Sequence, residues 1–419
     1  MRNIKGLIAV LPIVGLLGAC SDSSSPDSAD ETIIATTTTM RPDDGALLVG
    51  AIIPRDGVAA ELGLSMSDAL TLAVTEINEA GGVGGTPVRL IEREEGDNEA
   101  TASLAMQELI QLGVDAIIGP TSSTNTLATL GTAVDAGVLT CSPTASALAL
   151  DSFPDNGLFI RTIASDSLQA KALAMLVESS GSSSAVVVYV DDNYGRPFAQ
   201  AARLAVLAEG TTVTAMVPFN ASEDSMASAV AAVVATQAEV VVVIADGTTG
   251  PTIIAAIDDA SAITRTYVVN DAIRRPAVSA QPFGRSLGAR IVGVSPIAYP
   301  SSESFMESLR GVNPTATGLF AHNAYDCLNV IALAAQAAES DNPAAIVRQV
   351  PIVTDQGTPC NSFTTCADAL ATGRLFDYSG PGRDLIIGTN GEVLTATFER
   401  FTFDVDGGDV ADGFVTVSD

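Results

Sequence analysis

Short apolar runs alternate with amphipathic stretches along most of the chain. Residues 47–53 form a continuous apolar run, and the next stretch carries Leu70, Ala73 and Ile77 on one helical face before Gly81. Spacing of three and four residues predicts a helix, and a short apolar run bounded by turn residues predicts a buried strand. Further strands are predicted at residues 88–91, 116–118, 138–141, 185–190, 213–217, 240–244 and 266–270.

The order of these elements indicates an α/β fold with two lobes. Residues 240–244 are all valine or isoleucine, which is typical of strands in parallel sheets that helices cover on both faces. The alternation restarts after residues 159–161, so we predict two similar lobes with parallel sheets rather than one large sheet. A long helix at residues 317–338 and a β-rich tail at residues 393–403 complete the pattern.

The first twenty residues have the three zones of an export signal. Arg2 and Lys5 precede an apolar run at residues 6–17, which is shorter than the roughly 20 residues that span a membrane comfortably. The sequence Leu-Gly-Ala-Cys that follows resembles the bacterial lipobox, which implies cleavage before Cys20 and a lipid anchor on that residue. An ordinary secretory signal with a chance cysteine is the alternative.

Composition and charge limit the classes of partner. Residues 21–46 are rich in Ser, Thr, Asp and Pro and predict a flexible tether. An anchor, a tether and a folded body together predict a periplasmic or other extracytoplasmic location at a membrane surface. The roughly 370 residues that remain suit two lobes of common domain size. With 20 basic and 49 acidic residues and a net charge of −29, the chain lacks the basic patches that nucleic acid or anionic lipid requires.

The remaining cysteines and the single histidine suggest no cofactor or metal centre. Cys360 and Cys366 bracket a short polar segment, which predicts a local disulfide in an oxidising compartment. Cys141 and Cys327 lie in apolar contexts and are predicted to be two separate buried thiols. Since His322 is the only histidine, no His/Cys metal spacing exists.

Polar residues after the predicted strands are candidates for ligand contacts, because ligands bind at the carboxyl ends of strands in open parallel sheets. Residues 119–124 follow one strand and open a helix, where backbone N–H groups favour a carboxylate or phosphate. The alternative is that Ser123 only caps its helix. The hydroxyls of residues 142–146, including Thr144 and Ser146, follow the next strand; a polar turn is the alternative there.

The second lobe offers an aromatic residue and a carboxylate. Tyr194 follows one predicted strand at a helix start, and Asp271 follows another. Asp271 could pair with an ammonium ion, although carboxylates at strand ends often serve as helix caps. Taken together, the candidates complement a zwitterion whose carboxylate lies at Ser123 and whose ammonium lies at Asp271.

Several motifs, in order, resemble the type 1 periplasmic binding proteins of the leucine/isoleucine/valine group, the receptors of ABC importers. The similarity covers nearly the whole chain after the tether. The motifs are Glu-Ile-Asn-Glu-Ala-Gly-Gly-Val-Gly-Gly at 76–85, Ile-Gly-Pro at 118–120 with Ser123, Ser-Pro at 142–143 with Ser146, Asp-Asn-Tyr-Gly at 192–195, Ala-Tyr-Asp at 324–326, and Phe-Asp-Tyr-Ser-Gly-Pro at 376–381 with Gly388 to Glu392.

The resemblance implies two Rossmann-like lobes that are joined by three crossovers and close around a ligand. It implies that Ser123, Ala145 and Ser146 bind an amino-acid head group, that Asp271 binds the ammonium, and that Tyr194 faces the cleft. It also implies a monomer that delivers its ligand to an ABC permease without a cofactor. On this basis the first lobe comprises residues 47–163 and 295–392, and the second comprises residues 164–294 and 393–419.

The sequence departs from the amino-acid receptors where they often carry aromatic residues, at 57–62 and 245–249. The ligand side chain therefore stays open. Arg274 and Arg275 could favour an acidic ligand or could be solvated surface residues. A ligand-sensing receptor for an amide or small carboxylate is the alternative function.

We expect no catalytic residue. An enzyme would use His322 as a base, yet a packed histidine is the commoner role on the apolar side of a helix. The glycine pairs at residues 81–85 follow a helix, whereas a dinucleotide-binding loop follows a strand.

Overall fold

The computed structural model describes residues 43–274, 283–382, 385–404 and 406–419. Within these ranges the chain builds two lobes, each around its own sheet, as the resemblance implies. The signal with Cys20, the tether up to residue 42, and Arg275 lie outside the described residues.

The first lobe, termed the N-lobe, begins with three alternating strand–helix pairs followed by two more strands. Its strands are β1 (Leu48–Ile53), β2 (Arg89–Glu94), β3 (Ala116–Ile118), β4 (Leu139–Ser142) and β5 (Phe159–Arg161), and its first helices are α1 (Ala60–Glu79), α2 (Glu99–Gln111) and α3 (Ser123–Asp135). All five strands are parallel, in the order β2-β1-β3-β4-β5. Their carboxyl ends therefore meet at one edge of the sheet.

The second lobe, termed the C-lobe, repeats the pattern. Its elements are α4 (Asp166–Ser179), β6 (Ser184–Val190), α5 (Gly195–Ala208), β7 (Thr212–Phe219), α6 (Glu223–Ala235), β8 (Val240–Ile244), α7 (Thr249–Ala260), β9 (Thr266–Val269), α8 (Arg285–Gly288) and β10 (Ile291–Pro296). The chain then returns to the N-lobe with α9 (Glu303–Val312), α10 (Ala321–Ala338), α11 (Pro343–Val353), β11 (Thr358–Cys360), α12 (Phe363–Ala371) and β12 (Phe376–Tyr378). It ends in the C-lobe with β13 (Thr395–Phe403) and β14 (Asp409–Ser418).

The chain thus changes lobe three times: after β5, after β10 and before β13. The C-lobe sheet has the order β14-β13-β10-β9-β8-β6-β7. Strands β6 to β10 are parallel, but β13 and β14 run antiparallel at one edge. The predicted parallel sheets are therefore confirmed in both lobes, and the predicted β-rich tail adds an antiparallel hairpin at one edge of the C-lobe sheet.

Central strands are buried on both faces, as their composition predicts. In β8, Val242 and Ile244 pack toward α4 and α5, whereas Val241 and Val243 pack toward α6 and α7. Such strands gain apolar burial from two helical layers, each fully buried side chain contributing about 1.5–3 kcal/mol.

Helix α1 and the turn before it, Gly57–Glu79, are long and apolar enough to cross a membrane by length and composition. Met66, Leu70 and Ile77 nevertheless lie in the N-lobe core with residues of α10. Helix α1 is therefore a core helix of this lobe.

The prediction of two separate thiols at Cys141 and Cys327 is wrong. They form a disulfide with Cα atoms 5.8 Å apart, because β4 and α10 pack together in the N-lobe core. Apolar flanking residues predicted the burial of each cysteine correctly, but a partner 186 residues away leaves no local signal. The structure also joins Cys360 and Cys366.

Candidate ligand-binding cleft

The start of α3 forms the N-lobe side of a cleft between the lobes. Ser122 caps this helix, with its Oγ accepting from the backbone N–H of Asn125 at 3.4 Å. The capping role considered for Ser123 therefore falls to its neighbour. The Oγ of Ser123 instead accepts from the backbone N–H of Ala147 at 3.3 Å, which links the loop after β3 to the loop after β4.

A buried carboxylate, Glu95, already occupies part of this helix start. It accepts hydrogen bonds from the backbone N–H groups of Thr121 and Ser122, both at 2.9 Å, and from the Asn125 amide at 3.0 Å. The first backbone N–H groups of a helix have no partner within the helix. Those of Ser123 and Thr124, next in the chain, have no partner among the described residues and could receive a ligand carboxylate.

The loop after β4 is held by its own hydrogen bonds. The Thr144 hydroxyl donates to the carbonyl of Thr121 at 2.9 Å, and the N–H of Ala145 donates to Ser142 Oγ at 3.1 Å. Ala145 is fully buried, and its carbonyl accepts from Arg161 at 3.1 Å. Thr144 and Ala145 therefore shape the loop, whereas Ser146 lies where the loop meets the C-lobe.

Ser146 contacts an acidic residue that the sequence did not single out. Its carbonyl accepts from the backbone N–H of Asp166 at 2.9 Å, and its side chain is close enough to the Asp166 carboxylate to lower the pKa of that group. Asp166 is the first residue of α4 and only 3% exposed. The N-lobe loop and the first C-lobe helix thus meet at this pair.

Tyr194 lies at the start of α5, in a turn fixed by Asp192. The Asp192 carboxylate accepts from the backbone N–H groups of Tyr194 at 2.9 Å and Gly195 at 2.7 Å. The Tyr194 hydroxyl accepts from the side chain of Asn270 at 3.1 Å. Burial, with the negative charge of Asp271 nearby, raises the pKa of Tyr194 well above its ordinary value, so this hydroxyl keeps its proton.

Asp271 opens a short 3₁₀ turn directly after β9 and Asn270. Its Oδ1 accepts from the Gln169 amide at 3.0 Å. Burial raises the pKa of Asp271. Burial and then the charge of Asp271 raise the pKa of Asp166 well above its ordinary value. Two carboxylates thus repel each other in a poorly solvated site, which favours a bound cation or proton.

The arginines near these carboxylates form their salt bridges with other acidic residues, although the charge of Arg161 partly lowers the pKa of Asp166 and that of Arg274 partly lowers the pKa of Asp271. Arg161 pairs with Asp151 and Glu392. Arg274, which could have favoured an acidic ligand, pairs with Glu399 at 2.5 Å and with Asp409 at 2.7 Å.

A pocket of 440 Å³ joins these groups across the lobes. Ser123, Thr124 and Leu148 line it from the N-lobe, and Asp166 and Tyr194 line it from the C-lobe. Among the predicted site residues, Ser123 and Tyr194 line the pocket, whereas Ser146 and Asp271 do not line it and lie near its lining residue Asp166. The cleft therefore presents N–H donors on one side and carboxylates on the other.

His322 has no role in this pocket. It is buried on α10, and burial lowers the pKa of its imidazole to about 4. It lines a separate 90 Å³ cavity beside the crossovers, together with Thr162 and Asp326. Within the described ranges, no group of three or more His, Cys, Asp or Glu side chains could hold a metal ion.

Comparison with known proteins identifies the class that this fold and cleft define. The chain belongs to the periplasmic binding protein family, whose match spans residues 47–376. It is 28% identical to the Leu/Ile/Val-binding protein BraC3 of Rhizobium johnstonii over 169 residues, 40% of this chain and 45% of that protein. It is also 30% identical to glutamate receptor 3.1 of Oryza sativa over 159 residues, 37% of this chain and 16% of that protein. The chain thus matches less than half the length of these relatives.

Solved structures share the fold at low sequence identity. The branched-chain amino acid binding protein LivJ of Streptococcus pneumoniae, in complex with isoleucine, superposes with a TM-score of 0.62 at 19% identity, covering 89% of this chain and all of that one. A substrate-binding protein of Desulfitobacterium hafniense in complex with Leu gives 0.66 at 18% identity over 88% of this chain and all of that one. A benzoate complex from R. palustris gives 0.60 at 17% identity over 89% of this chain and 98% of that one.

Proposed function

We propose that this protein captures an amino acid by its zwitterionic head group and delivers it to an ABC importer. The observation that carries the proposal is the carboxylate pair of buried Asp166 and half-buried Asp271, which forms no salt bridge among the described residues and lies near the Tyr194 hydroxyl. A ligand ammonium would neutralise this pair. The ligand carboxylate would accept from the N–H groups of Ser123 and Thr124 across the pocket.

The transport role rests on the family and on its structural neighbours, several of which are amino-acid receptors of ABC transporters. In this role the protein acts as a monomer that closes on its ligand and docks on an ABC permease. The lipobox-like sequence before Cys20 supports a membrane anchor. Membrane fractionation of a Cys20→Ala variant tests it, because a variant that is cleaved and still membrane-bound would contradict lipid attachment.

Matched ligands test the head-group proposal directly. L-leucine, isocaproate and isoamylamine share an apolar chain, but the second lacks the ammonium and the third lacks the carboxylate. We expect only L-leucine or another amino acid to bind tightly in titration calorimetry. At a hundred times its dissociation constant, such a ligand should stabilise the fold by about 2.7 kcal/mol. Tighter binding of isocaproate than of every amino acid would overturn the proposal.

The second candidate is a ligand-sensing receptor for an amide or small carboxylate. The benzoate complex of similar fold favours it, since helix N–H groups can donate to any carboxylate. The uncompensated charge of Asp166 and Asp271 opposes it. Benzoate and leucinamide therefore belong in the same ligand panel.

A further inference from the structure

A fully buried arginine lies between the head-group loop and the crossovers. Arg161 is the last residue of β5, where the chain leaves the N-lobe, and its side chain is 0% exposed. An arginine is rarely buried unless its donors are paired. The partners of this one come from three separate segments of the chain.

The first segment is the loop after β4. One guanidinium nitrogen of Arg161 donates to the carbonyl of Ala145 at 3.1 Å and to that of Ala147 at 3.4 Å. These two carbonyls flank Ser146. Arg161 therefore fixes the backbone on both sides of Ser146, whose own carbonyl accepts from the backbone N–H of Asp166.

The second segment is the turn between β4 and β5 that contains Asp151, which contacts the first crossover through Ser165. The guanidinium pairs with Asp151, and the Asp151 carboxylate accepts from the Ser165 hydroxyl at 2.8 Å. Ser165 caps α4, the helix that begins with Asp166. A continuous set of contacts therefore runs from Arg161 to the carboxylate proposed to meet the ligand ammonium.

The third segment is the crossover before β13. The Nε of Arg161 donates to Glu392 at 2.6 Å, and its backbone N–H donates to the carbonyl of Gly391 at 3.1 Å. Gly391 has a φ of +78°, and a Cβ there would collide with the carbonyl of Phe159. The third crossover therefore lies directly against β5.

From these contacts we infer that Arg161 is a positioning residue that couples the head-group site to lobe closure. The inference rests on the proposed function. Arg161 holds the loop that carries Ser146, and it contacts the third crossover directly and the first crossover through Asp151 and Ser165. Occupation of the head-group site is thereby linked to the geometry of the crossovers.

Arg265 provides a matched control. It is also buried, 1% exposed, and donates to the Val233 carbonyl at 3.4 Å and to Ser261 at 3.0 Å, all within the C-lobe. Lysine at either position keeps the charge but loses the planar fork that bonds several acceptors at once. Arg161→Lys and Arg265→Lys should therefore both lower the melting temperature.

Only Arg161→Lys should change ligand binding in the cleft. We expect its dissociation constant for L-leucine to rise about tenfold or more and that of Arg265→Lys to stay within about twofold. Small-angle scattering should show less compaction with saturating L-leucine in Arg161→Lys. Equal effects of both variants on affinity would overturn the coupling.

Hydrogen exchange gives a test without a ligand. In Arg161→Lys, the amides of residues 144–147 and 391–394 should exchange faster, while those of Arg265→Lys should match the wild type there. Unchanged exchange in Arg161→Lys would refute the positioning role even if no amino acid binds. Failure of every amino acid to bind wild type would refute the proposed function alone. If Arg161→Lys does not fold, Glu392→Gln removes one guanidinium partner and should accelerate exchange in the same segments.

Discussion

The two sides of the cleft differ in how far their polar groups are satisfied. On the N-lobe side, Ser123, Thr144 and Glu95 all hydrogen-bond to neighbouring protein groups. On the C-lobe side, Asp166 is a buried carboxylate and Asp271 a half-buried one, and desolvation raises the pKa of each. The side chains on the N-lobe side have protein partners and, among the described residues, only the backbone N–H groups of Ser123 and Thr124 are left to bind a ligand, whereas the C-lobe side has excess negative charge.

This difference indicates that the two sides of the cleft contribute to ligand binding in different ways. Donors that are already fixed can receive a carboxylate with little loss of conformational entropy, which favours affinity through preorganisation. Carboxylates without a counter-ion contribute most to binding when the ligand brings a cation, because the cation relieves the repulsion between them in the free protein. Substitutions on the C-lobe side should therefore weaken binding more.

The largest effect is expected for Asp271→Ala. Removing one partner of a buried, hydrogen-bonded charge pair costs about 2–5 kcal/mol of binding free energy. Titration calorimetry with the best amino acid measures this loss. Asp258→Ala is the control, since Asp258 pairs with Arg290 at 2.7 Å outside the pocket. Unchanged affinity in Asp271→Ala would overturn the amino-acid assignment but leave the family assignment intact.

Asp166→Asn should have a smaller effect on affinity, about 1.5–3 kcal/mol, the contribution of a hydrogen bond to a charged group. Asparagine keeps the shape and can still accept from Ser146, and Asp271 still carries charge. The same change should stabilise the ligand-free protein, because it removes a repulsive buried charge. Denaturant unfolding without ligand shows whether Asp166→Asn raises or lowers the free energy of unfolding. A variant that is destabilised and binds with wild-type affinity would contradict both expectations.

Acidification should weaken amino-acid binding through the C-lobe side. The raised pKa values of Asp166 and Asp271 mean that, above their unfolded value of 3.8, the native state holds more protons than the unfolded state. Ligand-free stability should therefore fall as pH rises through this window, while affinity for an ammonium group rises. Affinities and melting temperatures measured from about pH 4 to pH 8 test both trends. If affinity and melting temperature no longer change with pH in the double variant Asp166→Asn/Asp271→Asn, both trends are assigned to this pair.

The smallest effect is expected for Ser123→Ala. It removes one hydroxyl whose bond to Ala147 contributes about 0.5–1.5 kcal/mol, while the backbone N–H groups at the start of α3 remain. Measuring the affinities of Ser123→Ala and Asp271→Ala in the same experiment gives the ratio of their two losses. A loss larger than that of Asp271→Ala would reverse the comparison of the two sides.

Much of the fold follows from local sequence, because strand burial and helical periodicity are properties of short segments. The run at residues 240–244 and the restart after residue 161 were enough to predict two α/β lobes. The antiparallel edge was not predictable in this way. Pairing of β13 with β10 depends on segments that are distant in sequence.

The candidate site was predicted in part. The rule that polar residues follow strands led to Ser123, Tyr194 and Asp271. It missed Glu95 because β2 was predicted to end at residue 91 and instead extends to Glu94. Asp166 was missed because it begins a helix rather than following a strand, and its position opposite Ser146 depends on how the lobes meet.

The disulfide between Cys141 and Cys327 has a consequence for how the molecule withstands cleavage. Its two sulfurs lie in one lobe, yet the covalent loop that they close contains the chain of the C-lobe from α4 to β10. A single protease cut within that stretch would divide the polypeptide without separating its pieces. The bond also joins cysteines from the two separate parts of the chain that form the N-lobe, so it can close only after residue 327 has been exported. Until then the first half of the N-lobe lacks α10, the helix that covers it.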